Sequence, residues 1–116
     1  LIARALLQAN NYIFMDEPVA NLDYGNQLKI MEICNSLKKK NIGFLITTHN
    51  PNHALTYADK VLIVRKNKES FFGDVSILDK ELLEKLYNVP INLIETENGK
   101  FCIPDYKEVR RDYVLE

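Results

Sequence analysis

Two short, largely apolar runs, each followed at once by polar residues, dominate the pattern of the first fifty positions. The run YIFM at residues 12–15 leads directly into the carboxylates of Asp16 and Glu17. The run FLIT at residues 44–47 leads into a polar segment that contains His49. Such runs are typical of strands buried on both faces of a parallel sheet. The pattern therefore predicts two strands whose carboxyl ends bring polar side chains to the sheet edge where α/β proteins bind ligands.

The segment between these runs has the periodicity of a helix. Residues 24–40 place apolar side chains at helical spacing, namely Leu28, Ile30, Met31, Ile33, Cys34 and Leu37. Asp23 stands where an N-cap is expected, and the three lysines at residues 38–40 suit the negative end of the helix dipole. Strand, helix and strand over this length predict a right-handed βαβ unit. Residues 2–8 predict the end of an earlier helix.

The second half of the chain alternates short strands with short helices. The dipeptide Asn98-Gly99 strongly favours a hairpin turn. The predicted elements are a helix at residues 52–57, strands at 61–64 and 69–72 joined by a turn at 66–68, a helix at 82–87, and a hairpin of 91–95 with 100–103. The highly charged residues 105–116 predict an exposed tail.

The composition narrows the class of protein without naming a function. The chain has 116 residues, a net charge of −1 and 47% hydrophobic residues. These values suit one globular domain and offer no basic footprint for nucleic acid. No apolar run approaches the length of a membrane-spanning helix, and no signal-peptide pattern is recognisable. Cys34 and Cys102 lie far apart in unrelated contexts, as expected of free thiols in a reducing compartment.

The acidic pair after the first run is the strongest candidate for chemistry. Because successive residues of a strand point to opposite sides, we expect Asp16 and Glu17 to have different tasks. One carboxylate can hold a metal ion while the other faces a water molecule. This layout resembles the Walker B strand of nucleotide hydrolases, in which a catalytic glutamate follows the metal-binding aspartate.

Further segments extend the resemblance to the ATP-binding cassette (ABC) ATPases. The segment VANLD at residues 19–23 resembles the D-loop of that family. The segment FLITTHN at residues 44–50 resembles its strand and H-loop, with His49 as the switch histidine. Residues 1–7 resemble the helix that follows the ABC signature motif. The resemblance covers nearly the whole chain, and it implies the carboxyl-terminal portion of a three-layer α/β fold of the P-loop NTPase type.

The resemblance implies a role for each candidate residue. Asp16 would hold Mg²⁺ through a water molecule, since Mg²⁺ that bridges phosphates prefers oxygen ligands and keeps several waters. Glu17 would polarise the water that attacks the γ-phosphate of ATP. His49 would contact the γ-phosphate and stabilise charge on the transferred phosphoryl group. Asp23 would couple two ATP sites across a dimer, beside its simpler task as an N-cap.

Several motifs of the family do not occur in these 116 residues. There is no G-x-x-x-x-G-K-[ST] phosphate loop, no Q-loop and no L-S-G-G-Q signature. We therefore expect a carboxyl-terminal part of a longer ATPase, with residues 1–104 in its nucleotide-binding domain and residues 105–116 as the charged tail. We expect this part to be inactive alone, because the elements that bind the phosphates are missing from it.

A narrower resemblance indicates the class of importer. The segments LDYGNQ at residues 22–27 and ELLEKLYNVP at residues 81–90 resemble ATPases of importers for iron chelates, haem and cobalamin. This resemblance implies a homodimer of ATPase subunits, peripheral on the cytoplasmic face of the cell membrane, that energises permease subunits. The substrate-binding protein would act on it only indirectly, and nucleic acid is not an expected partner.

Two other interpretations stay open from the sequence. Soluble ABC-type ATPases of DNA repair or translation share the same motifs, although they bring coiled coils or tandem cassettes that this sequence lacks. The chain can also be a folded fragment with a structural role and no activity. In the family, the strand at residues 44–47 has a neighbour that is missing here. Its open edge predicts association with another chain or pairing with residues 61–64.

Overall fold

The computed structural model describes residues 12–113. In it, the two apolar runs that precede Asp16 and His49 each form a separate strand. The chain divides into two compact units, residues 1–49 and residues 50–116. The helix predicted at residues 2–8 lies outside the described residues. Between residues 12 and 113, no helix is both long and apolar enough to cross a lipid bilayer.

The described part of the first unit is a single strand–helix–strand motif. Its elements are β1 (Tyr12–Asp16), α1 (Tyr24–Lys38) and β2 (Gly43–Thr47). The two strands pair in parallel with Asp16 opposite Thr47, so their carboxyl ends lie side by side. The predicted strand–helix–strand unit with parallel strands is confirmed, and its right-handed crossover stays a prediction. Helix α1 ends two residues before the predicted position, and the chain then turns through Asn41, which has a left-handed φ of 64°.

Among residues 12–49, only one face of this two-stranded sheet is covered. Ile13 on the sheet is buried, as are Met31 and Cys34 on α1. On the opposite face, Phe14 is 63% exposed and Leu45 is 59% exposed. The expectation that these strands are buried on both faces is therefore wrong for this chain. Side chains alternate between the faces of a strand, and within the described residues of this unit only α1 forms a second layer.

The second unit consists of two hairpins and short helices. Its elements are α2 (Pro51–Tyr57), β3 (Lys60–Ile63), β4 (Phe71–Asp74), a 3-10 helix (Val75–Ile77), α3 (Lys80–Tyr87), β5 (Ile91–Thr96), β6 (Gly99–Pro104) and α4 (Tyr106–Tyr113). Strand β3 pairs with β4, and β5 pairs with β6, both in antiparallel fashion. Every sheet among residues 12–113 has two strands. The alternative pairing of residues 61–64 with residues 44–47 is therefore not adopted.

A continuous apolar core holds the second unit together. Its buried members are Ile63, Leu78, Leu83, Ile91 and Cys102. Leu83 on α3 is completely buried, with 0% of its surface exposed. Asp79 caps the start of this helix by accepting the N–H of Leu82 at 2.8 Å, and Glu84 within the helix accepts the N–H of Ile91 at the start of β5 at 3.0 Å. The polar groups here serve helix ends and strand starts.

Two hairpin boundaries differ from the sequence prediction. Strand β4 begins at Phe71, two residues late, because the loop before it turns through Asn67 at a left-handed φ of 57° and is longer than predicted. The turn between β5 and β6 consists of Glu97 and Asn98, since Gly99 already belongs to the strand pairing. Gly99 has a φ of 122°, a conformation that favours glycine.

The charged end of the chain is helical where the sequence predicted an exposed tail. Asp105 accepts the N–H of Glu108 at 3.2 Å, as an N-cap does, and donates its own N–H to the carbonyl of Pro90 at 2.9 Å. Arg111 and Glu108 form a salt bridge of 3.2 Å across one helical turn. These bonds order the described part of residues 105–116 as α4. The domain division at residue 104 stays a prediction.

Candidate functional site

The carboxyl ends of β1 and β2 bring three of the four predicted site residues together. Asp16 ends β1, Glu17 follows it directly, and His49 lies two residues beyond the end of β2. Because parallel strands end at the same edge of a sheet, polar groups from sequence positions thirty residues apart meet there. Asp23 is placed elsewhere in the unit, at the start of α1.

Glu17 leaves the strand conformation altogether. It has a φ of 43°, in the left-handed region that non-glycine residues seldom adopt. Its N–H donates to the carbonyl of Thr47 at 3.2 Å and to the Thr47 hydroxyl at 2.9 Å. Strand alternation therefore does not separate the two acids, and the expectation that rested on it is wrong, because β1 ends at Asp16. A backbone turn after Asp16 separates the two carboxylates instead.

The carboxylate of Glu17 contacts the imidazole of His49. The distance from Nε2 of His49 to Oε1 of Glu17 is 2.5 Å. The His49 side chain is 93% exposed and the Glu17 side chain is 38% exposed. A pair so open to solvent contributes little to stability. The contact places the Glu17 carboxylate and the His49 imidazole next to each other at the sheet edge. There the two groups can act on one bound water molecule or phosphate.

Asp16 faces the neighbouring strand with one oxygen only. Its Oδ1 accepts the hydroxyl of Thr47 at 2.5 Å. Its Oδ2 has no hydrogen-bond partner in the described part of the chain, and the residue is exposed. Residues 12–113 hold no group of three or more His, Cys, Asp or Glu side chains able to enclose a metal ion. A single carboxylate fits Mg²⁺, which commonly takes one or two protein oxygens and completes its shell with water and substrate phosphates.

Asp23 is engaged by the helix that it starts. Its Oδ1 accepts the N–H of Asn26 at 2.8 Å, and its Oδ2 accepts the side-chain amide of Asn26 at 3.2 Å. Beside it, the amide of Gln27 donates to the carbonyl of Leu22 at 2.9 Å. The predicted N-cap is confirmed. The predicted coupling of two ATP sites through Asp23 stays a prediction.

The cysteines offer no rival chemistry at this site. Cys34 and Cys102 are both free and buried. Burial raises the pKa of each thiol, which favours the unreactive neutral form over the thiolate. The candidate chemistry therefore consists of oxygen and imidazole groups at the ends of β1 and β2.

Thr47 is the site residue that the sequence prediction missed. It was counted as the last position of an apolar run, yet its hydroxyl bonds to both Asp16 and Glu17. The predicted pairing of the two strands could have indicated this role, because it places Thr47 at the end of one strand opposite Asp16 at the end of the other.

The chain is similar to ABC transporter ATP-binding proteins over most of its length. It is 37% identical over 95 residues to an uncharacterized ABC transporter ATP-binding protein of Haemophilus influenzae, covering 81% of this chain and 36% of that protein. A phosphonates import ATP-binding protein of Caulobacter vibrioides is 37% identical over 74% of this chain and 33% of that protein. A hemin import ATP-binding protein of Rhodococcus jostii is 30% identical over 81% of this chain and 32% of that protein. No protein-family model matches the sequence.

A solved structure carries the same fold. A metal-chelate type ABC transporter in an inward-facing conformation superimposes with a TM-score of 0.80 and 30% identity, covering 93% of this chain and 46% of that chain. This likeness confirms the predicted α/β fold class, and the strands and short helices fit the carboxyl-terminal portion of a P-loop NTPase. The chain spans about one third of the length of the three curated relatives.

Proposed function

The homologues of this chain are ABC transporter ATP-binding proteins, and from that premise we propose that it forms the hydrolysis side of the ATP site in an ABC importer. The observation that carries the proposal is the contact of Glu17 with His49 beside the open carboxylate of Asp16. These groups lie at the carboxyl ends of parallel strands, where α/β proteins bind their ligands.

Each residue has a separate task in the proposed reaction. Glu17 orients the attacking water and accepts a proton from it, as a carboxylate in hydrogen-bond reach can. His49 holds Glu17 in place through Nε2 and brings its ring into contact with the γ-phosphate. Asp16 offers Oδ2 to Mg²⁺ or to a water on it. When bound, Mg²⁺ neutralises charge on the phosphates.

We propose that the chain alone does not hydrolyse ATP. Its 116 residues contain no phosphate loop, and phosphate binding in this class of enzyme depends on the backbone and lysine of such a loop. Two carboxylates without that loop repel a triphosphate. Calorimetry of the chain with MgATP tests this point, and binding at micromolar affinity would contradict it.

The proposed parent is a full-length ATPase subunit that works as a homodimer against a membrane permease. It would lie peripherally on the cytoplasmic face of the membrane. The hemin import relative and the metal-chelate transporter structure support an iron-chelate cargo. The phosphonates import relative supports phosphonate as a second candidate. Uptake of radiolabelled haem and of a radiolabelled phosphonate by cells with and without the gene separates the two.

The experiment that tests the proposed site compares two equivalent changes in the full-length protein. Glu17→Gln removes the acid while keeping its shape, so turnover should fall about 10²- to 10⁴-fold with ATP binding retained. Glu32→Gln makes the same change at an exposed position of α1 and should leave turnover unchanged. Asp16→Asn should instead raise the Mg²⁺ concentration needed for activity. Turnover of Glu17→Gln close to that of the unchanged protein would refute the assignment.

A further inference from the structure

The Thr47 hydroxyl lies between the two acids of the candidate site. Its Oγ1 donates to Oδ1 of Asp16 at 2.5 Å and accepts the N–H of Glu17 at 2.9 Å. The carbonyl of Thr47 accepts the same N–H at 3.2 Å. One residue at the end of β2 therefore holds the side chain of the first acid and the backbone of the second.

The direction of these bonds is determined by the chemistry of a hydroxyl group. A hydroxyl has a single hydrogen to donate. Because an N–H from Glu17 already points at the oxygen of Thr47, the hydroxyl hydrogen is left for Asp16. The rotation of the Asp16 carboxylate is thereby set, with Oδ1 occupied and Oδ2 without a hydrogen-bond partner in the described part of the chain. A valine at this position would keep the shape of the side chain and lose both bonds.

The second bond acts on an unusual backbone. Glu17 holds a φ of 43°, which costs free energy unless neighbouring groups stabilise it. Its N–H is shared between the two oxygens of Thr47, so both the backbone and the side chain of that residue support the turn. It is from this turned backbone that the Glu17 carboxylate reaches His49.

Burial does not explain these bonds. Thr47 is exposed, so water could satisfy its hydroxyl as well as the Asp16 carboxylate and the Glu17 N–H do. The pairing of β1 with β2 does not require the Thr47 hydroxyl, because the backbones of the two strands already bond to each other. The bonds run instead to the two residues that carry the proposed chemistry.

We propose that Thr47 is a positioning residue for hydrolysis: it orients Asp16 toward the metal side of the site and holds the backbone turn that directs Glu17 to His49. This inference rests on the proposed function, since it concerns the same reaction. Thr47 touches neither the attacking water nor the phosphate in this account, so it acts through its two neighbours alone.

The test uses three variants of the full-length protein. Thr47→Val should lower kcat about tenfold or more, because small misplacements of reacting groups are costly, while KM for ATP changes by less than about twofold. The same variant should need more Mg²⁺ for half-maximal activity. Thr47→Ser keeps the hydroxyl and should restore both values. Thr56→Val makes the same change at an exposed threonine of α2 and should change neither.

A spectroscopic measurement separates this inference from the proposed function. The backbone N–H resonance of Glu17 should shift in Thr47→Val and stay in place in Thr47→Ser. If that resonance is unmoved and kcat is unchanged while Glu17→Gln is inactive, the role of Thr47 is refuted and the proposed function stands. If Thr47→Val and Thr47→Ser lose activity and thermal stability alike, the residue is merely structural. If Glu17→Gln remains fully active, both proposals fall.

Discussion

The two units of the chain differ in where their apolar side chains lie. Between residues 12 and 49, the buried apolar side chains are Ile13, Val19, Met31 and Cys34, and the outer face of the β1–β2 sheet is open. The second unit has a continuous core that includes Leu83, and further partly buried apolar side chains pack against this core. The candidate chemistry lies entirely in the unit with the thinner core.

The polar side chains of the two units also differ in what they bond to. In the second unit, Asp79 and Glu84 bond to backbone groups of their own unit and thereby hold helix and strand ends. In the first unit, Glu17 and His49 bond to each other, and the side chains remain 38% and 93% exposed respectively. Polar side chains that stabilise a fold must bond to its backbone. Polar side chains that carry out chemistry must instead remain accessible to a ligand.

The largest expected effect on stability lies in the core of the second unit. Leu83→Ala removes a completely buried side chain and should lower the free energy of unfolding by about 2–5 kcal/mol. Leu62→Ala, at an exposed position of β3, should cost much less. Urea denaturation followed by circular dichroism measures both. Equal losses from the two variants would mean that the second unit has no core of its own in solution.

An intermediate effect is expected at the open face of the first unit. Phe14 and Leu45 present apolar surface to solvent, which favours association of the isolated chain with itself. Replacing both by serine should weaken this association about tenfold or more. Sedimentation equilibrium compares the double variant with Leu62→Ser in the second unit. A monomeric unchanged chain at high concentration would show that the exposed face does not drive association.

The smallest expected effect concerns His53 in α2. Burial lowers the pKa of this imidazole, so the folded chain favours its neutral form. The unfolded chain takes up the proton near pH 6.5, as free histidine does. Stability should therefore be complete above about pH 6.5 and decline as the pH falls below it, because the unfolded state then binds more protons. His53→Gln should flatten this decline, and an unchanged slope would exclude His53 as its source.

The sequence pattern predicted the repeating parts of the fold and missed the parts that depend on contacts between elements. The apolar runs and the helical stripe were sufficient to place β1, α1 and β2. The φ of Glu17 and the bonds of Thr47 were not predictable, because they arise only once two strand ends lie side by side. The open face of the sheet was missed for a related reason, since an apolar run predicts burial without telling what covers it.

For the candidate site too, the sequence indicated the residues but not the contacts between them. Asp16, Glu17 and His49 were selected because their segments resemble the Walker B strand and the H-loop, and the structure brings the three residues to one sheet edge. Their roles stay a prediction. The helical order of residues 106–113 escaped prediction, since charged residues suit an exposed helix and an exposed tail equally well. Asp105 at the start of this helix also donates its N–H to the carbonyl of Pro90, a residue far away in the sequence.

If Glu17 and His49 work as one catalytic pair, a double-mutant cycle on ATP turnover by the full-length protein measures their coupling. Glu17→Gln and His49→Ala should each lower kcat by about 100-fold or more. Because the two side chains contact each other, the double variant should be only slightly slower than the slower single variant. A double variant whose loss equals the product of the two single losses would contradict the account.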